Sequence, residues 1–186
     1  MQQQLAAVVC EFEEMRTRIH QISTDTPDAR WNARRDALKW SVAECIQHLS
    51  LTSDVYIPML QAVFAQHNVR EPIPKHYRRD TVGWLLGIAV GPLPRIGKFR
   101  FGRVPTTPAF TPAGALDRAS VMSNFDSTQD AMIAVTRSAD GLPLEAMQIT
   151  SPFNARARYN AYSCLVLLPR HQLRHVRQAE EIWANT

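Results

Sequence analysis

His171 and His175 stand four residues apart in a segment whose apolar residues recur at helical spacing. On a helix such a pair lies about 40° apart around the axis, so both imidazoles point the same way. Two imidazoles at this spacing can chelate one divalent ion. Cys164, Leu167, Leu168 and Ile182 share their arc, which turns the pair toward a core. His48 lies on the flank of a second stripe, formed by Cys45, Leu49, Thr52 and Tyr56. Facing helices of a bundle build metal sites from side chains placed in this way. Three imidazoles leave a coordination position for water or substrate, as a catalytic metal requires. An ion held there lowers the pKa of a bound water or holds a thiol as thiolate. Imidazole suits zinc, nickel, iron and copper, and the sequence does not choose among them. The competing reading of the same residues is a set of hydrogen-bonded core histidines, and spacing alone leaves both readings open.

Three polar residues are candidate supports for this cluster. Gln178 is seven positions after His171 and shares its arc, so it could hold an imidazole or a bound water from outside. Glu44 lies one turn before His48 and Thr52 one turn after it. Glu44 already has a helix-capping role with Ser41. Cys164 is two turns from His171, roughly 10 Å along the axis, and reads as core. No side chain stands out as a separate protein nucleophile. Arg174 or Arg177 could attract an anionic thiol.

Four amphipathic segments could position these residues: 3–23, 41–67, 115–138 and 156–183. In the first, Leu5, Val8, Val9, Phe12, Met15, Ile19 and Ile22 recur at steps of three and four. His20 lies beside that stripe and reads as a surface or boundary residue. Ser41 and Glu44 form the capping box that starts the second, with Trp40 and Cys45 at the staple positions. Pro58 is expected to kink or end that helix, and Pro169 to kink the fourth. Gly141 stops the third. Residues 69–114 hold seven of the twelve prolines and six of the seven glycines, so they cannot form one helix. A short apolar helix is expected near Thr81–Ala89. Its Trp84, Leu85, Leu86 and Ile88 would form a lid, a dimer contact or simple packing over a bundle end. The stretch Val104–Pro112 reads as extended chain crossing the bundle. No strand set is convincing. The expectation is one all-α domain over 1–186, a four-helix bundle with a long Pro/Gly-rich crossover between helices 2 and 3.

Composition narrows the setting. The chain has 186 residues, enough for one domain with a sizeable core. Hydrophobic residues make up 45% and charged residues 20%, which argues against disorder. The net charge is +4. The densest basic group (Arg156, Arg158, Arg170, Arg174, Arg177) falls near the last helix and reads as solvated helix face. No helix-turn-helix, zinc-finger or aromatic RNA-binding pattern is present, so no nucleic-acid partner is expected. Cys10, Cys45 and Cys164 each fall in an apolar stripe and read as buried free thiols of a reducing compartment. The N-terminus lacks the cationic flank of a signal peptide, and no apolar run reaches the roughly 18 residues of a membrane span. A cytoplasmic protein with no membrane partner is expected.

The run from Trp40 to Leu49, WSVAECIQHL, resembles the W-S-x-x-E-x-x-x-H-L signature of the DinB-like (DinB/YfiT-like) superfamily. His171 to Gln178, HQLRHVRQ, resembles its C-terminal H-x-x-R-H-x-x-Q signature, and the resemblance extends over nearly the whole chain. It implies a four-helix bundle of up-down-down-up topology. It implies a divalent metal, often nickel or zinc, on one histidine of the second helix and two of the fourth: His48, His171 and His175. It also implies a homodimer in many members. In the few branches with a known activity it implies thiol S-transferase or isomerase chemistry with a low-molecular-weight thiol, or metal-dependent hydrolysis. The expected function is therefore a metal-dependent transferase or hydrolase acting on a small molecule. The alternative is a non-catalytic metal-binding or stress-related bundle that acts through oligomerisation.

Overall fold

The structure is a computed structural model that describes residues 1–35, 39–66, 75–92, 95–96, 99–100 and 107–184. Helix α1 (Gln3–Asp25) buries its whole predicted stripe, Leu5 to Ile22. Thr26 ends it, donating its hydroxyl to the Ile22 carbonyl. A single helical turn, α2 (Asp28–Trp31), follows and buries Trp31 under the Arg118 guanidinium.

Helix α3 (Val42–Ala65) begins at the expected capping box: Ser41 Oγ accepts from the Glu44 N–H, and Glu44 accepts from the Ser41 N–H. The predicted end at residue 67 lies outside the described residues. Helix α4 (Thr81–Val90) is capped by Asp80, whose carboxylate accepts from the Gly83 N–H at 2.7 Å. The two-residue strands β1 (Arg95–Ile96) and β2 (Phe99–Arg100) pair antiparallel. A 3-10 turn at Pro108–Phe110 precedes α5 (Arg118–Ser138), which Asp117 caps. Gly141 adopts a positive φ of 77° just beyond it, where a side chain would be strained. Residues 104–106 of the expected crossing stretch lie outside the described residues.

The sequence places residues 156–160 in the first turns of the last helix. Instead β3 (Gln148–Ser151) and β4 (Asn154–Asn160) form an antiparallel hairpin. The expectation of no strands is therefore wrong. Ala and Arg are good helix formers, but propensity is a weak prior that packing overrides. Tyr159 is fully buried from β4, and its hydroxyl meets the Tyr56 hydroxyl at 2.9 Å. Helix α6 (Ala161–Ala184) starts only after Asn160, whose side chain accepts from the Ser163 N–H. Neither Pro58 nor Pro169 ends its helix; α3 and α6 run through them. Cys45 and Cys164 are buried as expected, whereas Cys10 is exposed, because it falls just off the buried arc of α1.

The molecule is mostly helical. Helix α1 packs on α5 and α6, and α3 packs on the same two helices. Helix α4 lies against α6 and β4. The buried apolar side chains form two clusters. One contains Leu5, Phe12, Tyr56, Met132 and Leu165, the other Met15, Ile46, Leu49, Phe125 and Val176. Along α3, α5 and α6 the buried residues between these clusters are polar: Ser50, Thr52 and Ser53, Thr128 and Gln129, and Gln172, with His48 beside them just before Leu49.

Candidate metal centre

The rings of His48, His171 and His175 meet in this polar layer. His48 comes from the first third of α3, and the other two from successive turns of α6. Their ligand-capable nitrogens lie within 4.8 Å of one another. His48 Nε2 is 3.4 Å from His171 Nε2, and His175 Nε2 is 3.2 Å from the same atom. A tetrahedral ion with zinc–nitrogen bonds of about 2.0–2.1 Å separates its ligand nitrogens by about 3.3 Å. The two edges therefore match a shared tetrahedral centre.

Tautomer is fixed for one ring from outside the cluster. His48 Nδ1 lies 2.7 Å from the Phe110 carbonyl, which can only accept. Nδ1 therefore carries the proton, and Nε2 presents a lone pair toward the other two rings. Trp40 covers the pair, stacked on His175 at 5.6 Å between centroids and tilted against His48 at 4.7 Å. His175 Nδ1 is buried with no hydrogen-bond partner of normal geometry, though the nearby Gln178 side chain acts to raise the His175 pKa.

All three imidazoles are held neutral. Burial lowers the His48 pKa, against the Phe110 carbonyl, and Arg174 adds to the lowering. Burial pushes His171 down to about 3, with His48 and Arg174 reinforcing it. Burial lowers His175 strongly too, followed by His171 and His48. Neutral imidazole is the metal-binding form, so the environment readies the ligands at neutral pH.

The expected supporting residues take different places. Glu44 is 3% exposed, but its oxygens are taken by the Arg34 guanidinium and the Ser41 N–H. Burial raises its pKa, the Arg34 and Ser41 hydrogen bonds lower it, and the net result lies below the usual carboxylate range. Thr52 spends its hydroxyl on the His48 carbonyl, 2.8 Å away along its own helix. Cys164 lies in the apolar cluster, and burial raises its thiol pKa. His20 is on the surface against Asp126. The sequence reading missed the positions of Trp40 and Phe110 at the cluster. Trp40 stood inside the quoted motif, so its proximity was there to be found. The Phe110 contact uses a backbone oxygen, which no residue type announces.

The profile of the DinB superfamily matches residues 11–179. This chain belongs to the DinB superfamily. No curated protein and no solved structure matches it. In this DinB-superfamily chain the matched span contains all three clustered histidines, the whole of α3 and α6 as far as Ala179. The donor set, three neutral imidazoles with one orphaned outer nitrogen, fits a divalent ion.

Proposed function

We propose that His48, His171 and His175 hold one divalent ion and that the protein is a metal-dependent enzyme of the thiol-transferase or hydrolase kind. The observation that carries this reading is the pair of nitrogen–nitrogen edges at 3.4 and 3.2 Å, closed around one shared atom of His171. A divalent ion bound there supplies Lewis acidity, which makes a water or a low-molecular-weight thiol a nucleophile near neutral pH. The chain's residues do the positioning. The Phe110 carbonyl orients His48, Trp40 backs His48 and His175, and burial keeps the imidazoles unprotonated. Glu44 is committed to Arg34 and Ser41, so the nucleophile comes from the ligand and not from this carboxylate. The helix contacts support a four-helix bundle as part of the same reading, since α1 and α3 each touch both α5 and α6. Three free cysteines accord with a reducing, cytoplasmic setting.

The test is metal content. Tag-free protein purified without chelator should carry about one zinc, nickel or iron per chain, a tetrahedral histidine site's complement. The variant His48→Ala, His171→Ala, His175→Ala should fold and carry none. Wild-type protein that stays metal-free after incubation with zinc and nickel would overturn the reading. Loaded protein is then screened for transfer of small thiols to electrophiles and for hydrolysis.

A further inference from the structure

Helix α4 contains no charged residue between Thr81 and Val90. Its glycine face meets α6: a Cβ placed on Gly83 would sit 2.2 Å from the Ser163 Cβ, so the two helices approach through backbone. Arg170 and Arg174 hold the far end, donating to the Gly87 carbonyl at 3.4 Å and the Ala89 carbonyl at 3.1 Å. This docking turns Val82, Trp84, Leu85 and Ile88 outward, each between 41% and 55% exposed. Apart from Met1, they are the exposed large hydrophobics among the described residues. A helix apolar on its packed face and on its free face calls for a cover.

The charge around the helix indicates what the cover is. Lys75, Arg78 and Arg79 stand immediately before the helix, with Asp80 as the acidic residue among them, and Arg170 and Arg174 lie at its far end. Asp80 is committed to the Gly83 and Asn160 N–H groups. A second copy seated on this face would bring two sets of cations together. The face also offers only a few residues, where a stable interface takes about 20–30 a side. An anionic lipid surface suits both features: apolar side chains enter the headgroup boundary, tryptophan favours that depth, and flanking cations meet lipid phosphates.

We propose that α4 is a peripheral docking helix for anionic membrane surfaces. Val82, Trp84, Leu85 and Ile88 insert, and the flanking lysines and arginines set the lipid preference. No helix among the described residues is long and apolar enough to cross a membrane, so the attachment is interfacial. This revises the expectation of no membrane partner, and it stands apart from the metal reading.

The experiment is co-sedimentation of the full chain with vesicles of phosphatidylcholine alone and of equimolar phosphatidylcholine and phosphatidylglycerol. Binding to the anionic vesicles should be at least about tenfold tighter and should weaken as salt rises. Leu85→Glu with Ile88→Glu should abolish it while far-UV circular dichroism stays unchanged, since both side chains are exposed. Lys75→Glu with Arg78→Glu should erase the preference for anionic vesicles. A fluorescence blue shift on adding anionic vesicles should vanish in Trp84→Phe. Equal binding to both vesicle types, no binding to either, or unchanged binding by the double glutamate variant each overturns the proposal. A dimer that the glutamate variant converts to monomer, without vesicle binding, assigns the face to a second copy instead.

Discussion

His48 owes its orientation to a residue 62 positions away in sequence. The Phe110 carbonyl accepts a hydrogen bond from its Nδ1–H, and Trp40 lies against its ring. Trp40 also stacks on His175, so one indole backs ligands from two helices. Removing it would take the indole backing from both rings without removing any donor nitrogen. Trp40→Ala is expected to weaken metal affinity about 10–100-fold, the usual cost of losing an outer partner. A competition titration against a chelator measures this, with circular dichroism to show that the helices persist. Unchanged affinity would mean that Phe110 and packing suffice to set the rings. At this scale the three histidines were legible, because spacing of four residues and placement on an apolar arc are sequence properties. The Phe110 contact was not, since it depends on where a distant backbone oxygen arrives.

At the scale of elements, legibility followed local chemistry. The α3 start was readable to the residue, because a capping box is a contact between positions three apart. The boundary of α6 was not, because β4 is held by distant partners such as Tyr56, and only the Asn160 cap hinted at the true start. The α3 cap also yields a pH prediction. Glu44 has a lowered pKa in the folded chain. Its stabilising contribution is therefore complete above the unfolded value near pH 4.5 and is lost as pH falls through the lower folded value. Glu44→Gln is expected to cost about 1 kcal/mol at neutral pH, in line with a lost capping interaction. The gap to wild type should close as the solution is acidified below the ordinary carboxylate range. Urea midpoints of both proteins, measured from neutral pH downward, read this directly. A gap that stays constant across the series would show that the Glu44 charge contributes nothing to the fold.

For the whole molecule, the defining feature is the polar layer between two apolar clusters. The histidines occupy one side of it and a glutamine pair the other. Gln129 Nε2 donates to Gln172 Oε1 at 3.1 Å and to the Phe12 carbonyl at 2.7 Å, while Gln172 Nε2 donates to Gln129 Oε1 at 2.8 Å. Both amides are buried, and Gln172 follows His171 directly on α6. Polar residues cost stability at such a depth unless every group is paired, as these are. The reciprocal bond ties α6 to α5 and, through Phe12, to α1, so it fixes the rotation of the helix that aims His171 and His175. Gln129→Leu or Gln172→Leu alone strands a buried amide and should cost about 1–3 kcal/mol. The double leucine variant strands neither, so its cost should fall well short of the sum of the two. Metal affinity should behave differently. Two leucines fill the volume without setting a direction, so the double variant should regain stability but bind metal more weakly than wild type. Chemical denaturation and metal titration of the four proteins separate the two effects. A double variant that recovers both would mean that apolar packing alone orients α6, and that the glutamine pair serves the fold without serving the site.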